Sequence, residues 1–236
     1  MTEIENLYAV LGGRFITPES EIRRKLHDIK VFLLDWDGVF NNGEKSIHSN
    51  GSSFSEVDSM GLNLLRFSWF LKHGDLPVTG IISGERNANA FHFSERECLH
   101  YSFYKIPHKH LALDYICNEG GFKPHEVAYF FDDVLDLSIA ERCGLRIQVN
   151  QQCNPQFTSW CVKHKLVDYL TASPGGSGAV RESTELLIGL QDNFDAVIEN
   201  RMHNSPRYQE YITRRKTIQP SFFTLTPKGI EPLRPE

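Results

Sequence analysis

Two carboxylates stand one residue apart at the end of an apolar run. In VFLLDWDGVFNNG, residues 31–34 are apolar and lead directly into Asp35 and Asp37. Carboxylates repel one another and are costly to bury unpaired, so an opposite charge must sit with them. Two other apolar runs end in polar groups in the same way: Ser83 follows 76–82, and Asp132 with Asp133 follows 127–131. Four aspartates brought together call for a divalent cation. Oxygen-only ligation by few protein groups suits Mg²⁺, which keeps several waters and binds phosphate. The chemistry open to such a set is phosphoryl transfer. A carboxylate can attack phosphorus to give an aspartyl-phosphate, provided a metal and a cationic side chain screen it from the incoming dianion. Ser83 can donate to a phosphate oxygen and Lys109, at a helix start, can supply the positive charge. Lys105 is the rival lysine. A carboxylate two residues after the nucleophile can protonate the leaving group.

These residues need elements that bring them together. Strand-like runs at 31–34, 76–82, 101–106, 127–131, 145–149 and 166–170 alternate with helical stretches. The helices are expected at 61–71, 86–98, 108–118, 134–143 and 179–190, the last open to extension as far as 199. Such alternation predicts an α/β fold of right-handed βαβ units, with a parallel sheet covered on both faces. Open sheets of this kind bind ligands outside the carboxyl ends of their strands, which is where Asp35, Ser83 and Asp132 fall. Residues 45–56, KSIHSNGSSFSE, interrupt the alternation. The Asn50-Gly51 step is a hairpin turn signal, and the segment reads either as a two-stranded flap over the site or as a solvated hairpin. Residues 1–28 read as a helical extension and 29–202 as the core. Residues 203–236 read as a tail broken by prolines, with a β-like run at 221–225.

Composition narrows the function classes. The 236 residues are 40% hydrophobic and 23% charged, with a formal net charge of −5, which argues against a general nucleic-acid-binding role. Arg214-Arg215-Lys216 reads as a solvated helix end. No apolar run approaches the ~20 residues that span a bilayer, and MTEIENLYAV lacks the basic-then-apolar order of a signal peptide. The five cysteines form no C-x-x-C pair and read as reduced thiols of a cytoplasmic protein. An EF-hand reading of DWDGVFNNGE fails because Val39 and Phe40 stand where ligands and the turn glycine belong. The glycine-rich run 175–178 is not followed by the Lys-Ser/Thr of a phosphate-binding loop.

The order DWDGVFNNG, FSEVDSMGL, IISGE, HKHLAL, VAYFFDDVLD, PGGSGAVRE resembles the phosphatases of the haloacid dehalogenase superfamily over residues 29–190. The closer resemblance is to 3-deoxy-D-manno-octulosonate 8-phosphate phosphatases and the related nonulosonate 9-phosphate phosphatases. It implies a Rossmann-like core without a large cap domain. It also implies a homotetramer in which flap hairpins form a central barrel, and a small phosphorylated sugar acid as substrate. Neither nucleic acid nor membrane is an implied partner. Residue by residue, it implies Asp35 as nucleophile and Mg²⁺ ligand. Asp37 becomes the general acid/base, lending its backbone carbonyl to the metal, and Asp132 the third ligand. Asp133 and Asp136 support the metal, although Asp136 reads equally as an exposed helix residue. Ser83 and Lys109 hold the transferring phosphoryl group, with Gly84 and Glu85 beside the substrate. Asp58 either contacts substrate or caps the helix that includes Gly61.

Four positions depart from the pattern. Phe131 replaces a glycine and either crowds the metal or points into the core. Trp36 replaces a smaller residue, while Glu85 and Ser177 replace arginines, which weakens the cationic recognition expected for a sugar carboxylate. The rival from another class is a catalytically weak relative that binds a sugar phosphate or a partner subunit. A phosphomutase is disfavoured because no sizeable cap is inserted to retain an intermediate.

Overall fold

The computed structural model describes residues 1–45 and 52–233. Among them nine strands form one sheet: β1 (Arg14–Phe15), β2 (Val31–Asp35), β3 (Val78–Ile82), β4 (Tyr101–Tyr104), β5 (Val127–Phe131), β6 (Leu145–Gln148), β7 (Tyr169–Leu170), β8 (Ser221–Thr226) and β9 (Gly229–Pro232). Their order across the sheet is β1-β7-β6-β5-β2-β3-β4-β8-β9. Neighbours run parallel except at the two edges, β1 with β7 and β8 with β9. The helices are α1 (Glu3–Leu11), α2 (Glu19–Asp28), α3 (Glu56–His73), α4 (Ala88–Arg96), α5 (His110–Gly120), α6 (Leu137–Ala140), α7 (Pro155–Lys163), α8 (Ala179–Leu190), α9 (Phe194–Met202) and α10 (Pro206–Arg215). No helix among the described residues is long and apolar enough to cross a membrane.

The central strands explain the uninterrupted apolar runs. Every residue of β2 and of β5 is buried, as expected for parallel strands covered on both faces. Side chains alternate between two cores. Phe32 and Leu34 pack with residues of α2, α3 and α8, whereas Val31 and Leu33 pack with residues of α5, α6 and α7. Helix α3 starts at Ser55, whose side chain accepts the Val57 N–H, and stops at Gly74 in the left-handed conformation.

The departures from expectation are local. The helix expected over 134–143 is a 3₁₀ turn, Val134–Asp136, followed by the short α6, because Asp133 and Asp136 cap each other's backbone. The helix from 179 does not continue to 199: Asp192 takes φ 59° and α9 starts afresh. Helix α7 falls in a stretch that the sequence reading leaves unassigned; it opens on Pro155, and proline is at home in a first helical turn. The same applies to Pro206, which opens α10 in the tail. Both flanking segments feed the sheet, through β1 on β7 and β8 on β4. The expected flap turn at 49–51 lies outside the described residues; residues 52–55 lead into α3 without strand pairing.

Candidate active site

Asp35 ends β2, and Asp132 follows β5 directly. These strands are parallel neighbours, so their carboxyl ends bring the two aspartates to the same edge of the sheet. Lys109, at the start of α5, reaches in between. Its Nζ lies 2.6 Å from Asp35 Oδ1 and 2.6 Å from Asp136 Oδ1, and it is 3% exposed. Asp136 is already saturated: Oδ1 also accepts the Tyr129 hydroxyl and Oδ2 accepts the Asp133 N–H at 3.2 Å. The Asp133 carboxylate caps the Val134 N–H at 2.7 Å. Asp35, Asp132 and Asp136 each place an oxygen within 4.8 Å of the others.

This cluster is short of positive charge. Three buried carboxylates face one buried ammonium. Burial, reinforced by Asp136 and partly offset by Lys109, pushes the Asp35 carboxyl up to about 7. Burial with Asp35 and Asp136 nearby pushes Asp132 up to about 8. Burial opposes the charge on Lys109, but Asp35 and Asp136 outweigh it and hold the ammonium well above the ordinary lysine range. Asp132 Oδ1 is buried and has no hydrogen-bond partner among the described residues. Its other oxygen accepts the Gln151 amide at 3.2 Å, and the same Nε2 donates to the Gly38 carbonyl at 2.9 Å. An unpartnered carboxylate oxygen beside a second carboxylate fits a hard divalent cation, and all-oxygen donors of this kind suit Mg²⁺.

The loop after β2 supplies the rest. Gly38 has φ +85°, and a Cβ there would lie 2.0 Å from Asp132 Oδ2, so only glycine lets Asp132 approach this loop. Gly175 packs as closely: a Cβ would lie 2.0 Å from the Gly38 carbonyl oxygen. The 175–178 run thus braces the aspartate loop from behind. Asp37 Oδ2 lies 3.5 Å from Lys45 Nζ, and Oδ1 accepts the Ser52 hydroxyl at 3.1 Å. Asp35, Asp37, Gly84, Glu85, Lys109 and Asp132 line one cavity of about 520 Å³.

No protein-family model matches the chain. The chain is 27% identical over 187 residues to the 3-deoxy-D-manno-octulosonate 8-phosphate phosphatase of Escherichia coli (strain B), covering 75% of this chain and 88% of that one. The phosphatase of the same name from Haemophilus influenzae is 25% identical over 177 residues, covering 72% and 88%. Among solved structures, a HAD superfamily (subfamily III A) hydrolase from Legionella pneumophila superposes with a TM-score of 0.65 at 28% identity, over 78% of this chain and 95% of that one. The 3-deoxy-D-manno-octulosonate 8-phosphate phosphatase of Moraxella catarrhalis, solved with magnesium, phosphate and KDO, gives 0.65 at 29% identity, over 77% and 98%. The chain has the haloacid dehalogenase fold.

Within this haloacid dehalogenase core the sequence-expected residues do not all converge. Asp35, Asp37, Lys109, Asp132, Asp133 and Asp136 border one cavity with Gly84 and Glu85. Ser83 is buried just behind Glu85, whose N–H its Oγ accepts at 3.2 Å. Lys105 is exposed, with φ 53°. Asp136 is fully buried, which corrects the reading of it as an exposed helix residue. Asp58 corrects both of its expected roles. It is fully buried, away from the cavity, and accepts the Arg181 N–H at 2.9 Å and the Gly178 N–H at 3.4 Å. It therefore caps α8, not its own helix. Phe131 points into the core beside Tyr129, and Trp36 is buried against Phe40 and Phe93. Ser52 lies in the 45–56 segment expected over the site, but neither it nor Gln151 was singled out; neither ends a strand, so only tertiary contact reveals their roles.

Proposed function

We propose that the protein is a Mg²⁺-dependent phosphomonoesterase that hydrolyses a phosphorylated acidic sugar, of the octulosonate 8-phosphate or nonulosonate 9-phosphate type. The observation that carries this reading is the buried, unpartnered Asp132 oxygen beside Asp35, with Lys109 bound to the same Asp35 carboxylate. The names and the bound ions of the relatives support the substrate class and the metal. Asp35, Asp132 and the Asp37 backbone carbonyl would hold the cation. When bound, it screens the carboxylates from the phosphate dianion and stabilises charge on the phosphoryl oxygens.

The chain's own residues then divide the work. An Asp35 oxygen attacks phosphorus, the ester P–O bond breaks, and an aspartyl-phosphate forms. Asp37 gives its proton to the departing sugar oxygen, then takes one from the water that attacks the phosphoenzyme. Lys109 holds the phosphoryl oxygens, while Asp136 and Tyr129 keep it aimed; the Ser83 hydroxyl, buried behind Glu85, would join it only by turning towards the cavity. Gly84 and Glu85 line the cavity where the sugar would lie. We further propose a homotetramer in which a neighbouring subunit helps to enclose this cavity. Trp36 and Phe131 are buried in the core and do not line the cavity, which supports the enzymatic reading over that of a weak relative.

A panel of sugar phosphates, with p-nitrophenyl phosphate as a general probe, tests the proposal. Phosphate release that requires Mg²⁺ and is fastest on sugar-acid phosphates is expected. Absence of release from every ester would overturn the enzymatic reading, and preference for neutral sugars would overturn the substrate class.

A further inference from the structure

The geometry points to Ser52 as a positioning residue for Asp37, tying one carboxylate oxygen of the acid/base to the aspartate loop and to the start of α4. This rests on the phosphatase reading above and adds to it a residue outside the strand-end motifs. Ser52 is 2% exposed, and its Oγ sits among three N–H donors. The Trp36 indole Nε1 is at 3.0 Å, the Asn41 Nδ2 at 3.0 Å and the Asn87 Nδ2 at 2.7 Å. Each donor is fixed in its role. An indole N–H can only donate. Asn41 Oδ1 accepts the Gly43 N–H at 2.8 Å, so its other atom must be the amide nitrogen. Asn87 Oδ1 accepts the Asn89 N–H at 3.1 Å as the cap of α4, which settles its amide in the same way.

A hydroxyl has two lone pairs and one hydrogen. The three donors compete for two lone pairs, and Asn41 Nδ2 also donates to the Trp36 carbonyl at 3.0 Å, so the Ser52 hydrogen leaves towards an acceptor. Among the described residues that acceptor is Asp37 Oδ1, at 3.1 Å. Oδ1 is thereby held in place by the Ser52 hydroxyl, while Oδ2 lies 3.5 Å from Lys45 Nζ. The clamp is tied down at its far end as well: the Ser52 carbonyl accepts the Asn89 side-chain amide at 2.7 Å. Ser52 thus links the aspartate loop to the start of α4. In the reaction proposed above, Asp37 gives a proton to the sugar oxygen as the P–O bond breaks and later removes one from water; the Ser52 hydrogen bond holds its carboxylate in place for both.

A positioning role has a signature that a purely structural role lacks. Nitrophenolate leaves without a proton and a sugar alkoxide does not, so losing the clamp should spare the first step on an aryl ester only. Ser52→Ala is expected to lower turnover of a sugar phosphate about 10- to 100-fold, a part of the 10²–10⁴ that acid–base catalysis supplies. On p-nitrophenyl phosphate it should give a burst of nitrophenolate followed by slow turnover. Ser52→Thr keeps the hydroxyl and should restore both substrates. Ser52→Cys, a weaker donor, should fall between, and serves in place of Ala if the alanine variant does not fold. Equal losses on both esters without a burst, or loss in Ser52→Thr as large as in Ser52→Ala, would overturn the role of Ser52 alone. A wild-type protein that releases phosphate from neither ester would overturn the phosphatase reading and the role with it. The Trp36 indole N–H resonance, which should shift in Ser52→Ala under either result, tells a broken hydrogen bond from a missing activity.

Discussion

Asp132 is a buried carboxylate whose charge is left largely uncompensated by the protein. It is 8% exposed, one of its oxygens lacks a partner, and two like charges lie close by. Replacing it with asparagine should therefore have opposite effects on binding and on stability. Mg²⁺ affinity should fall by at least about 100-fold, beyond the 10- to 100-fold typical of outer-shell residues, and activity should fall with it. The metal-free variant should nevertheless melt higher than the metal-free wild type, because a buried like-charge repulsion is relieved. Calorimetric Mg²⁺ titration and thermal melts in chelator check the two halves. Unchanged affinity would remove Asp132 from the metal site. The residues that end strands were legible in the sequence, because an apolar run that stops at a carboxylate or hydroxyl announces its position. Ser52 and Gln151 were not legible. Each acts through a loop whose approach to the aspartates is set by packing elsewhere, such as Gly175 against the Gly38 carbonyl.

At the scale of elements, strand and helix order followed from period and length, while errors fell where a side chain redirects the backbone. Asp58 shows this best: its capping target is α8, 120 residues away, and no local pattern names such a partner. Asp58→Ala should lower stability by about 1–2 kcal/mol, the usual worth of a helix cap, while KM for any substrate stays unchanged. A raised KM at unchanged stability would return Asp58 to the substrate site. His100, at the entrance to β4, makes a second prediction. Its Nδ1 accepts the Thr79 N–H at 3.1 Å, and burial next to Arg66 pushes its pKa down to about 4. Between about 4 and the unfolded value near 6.5 the unfolded chain binds more protons. The contribution of His100 to stability should therefore rise with pH across that window, by up to about 3 kcal/mol, against an opposite contribution from the raised Asp35 and Asp132 carboxyls. Urea unfolding from pH 4 to 7 measures the slope, and in His100→Gln stability should rise less, or fall more, with pH than in the wild type. An identical slope in the variant would contradict this assignment.

For the whole molecule, the sheet is wider than the core that resembles known phosphatases. Strand β8 docks parallel to β4 and buries Phe222 and Phe223, the latter against Phe103 and Tyr115. The tail's prolines concealed this from sequence, although the run at 221–225 hinted at it. Removing residues 217–236 should uncover the β4 edge and lose roughly 2–3 kcal/mol for each buried phenylalanine. An edge laid bare in this way invites association between chains. A lower melting temperature with increased light scattering is expected, and an unchanged melt would show that the hairpin is not part of the folded unit. The proposed tetramer is read separately, by sedimentation of the intact chain at micromolar concentration. A monomer there would remove the shared cavity.

The central claim is that Asp35 is the nucleophile and Asp37 its acid/base partner. Rapid mixing of Asp35→Asn and Asp37→Asn with p-nitrophenyl phosphate at saturating Mg²⁺ separates them. Asp37→Asn should release a stoichiometric burst of nitrophenolate and accumulate phosphate on the peptide that carries Asp35, because dephosphorylation lacks its base. Asp35→Asn should show neither burst nor turnover. A burst from Asp35→Asn, or phosphate trapped on any other residue of the Asp37→Asn protein, would contradict the account.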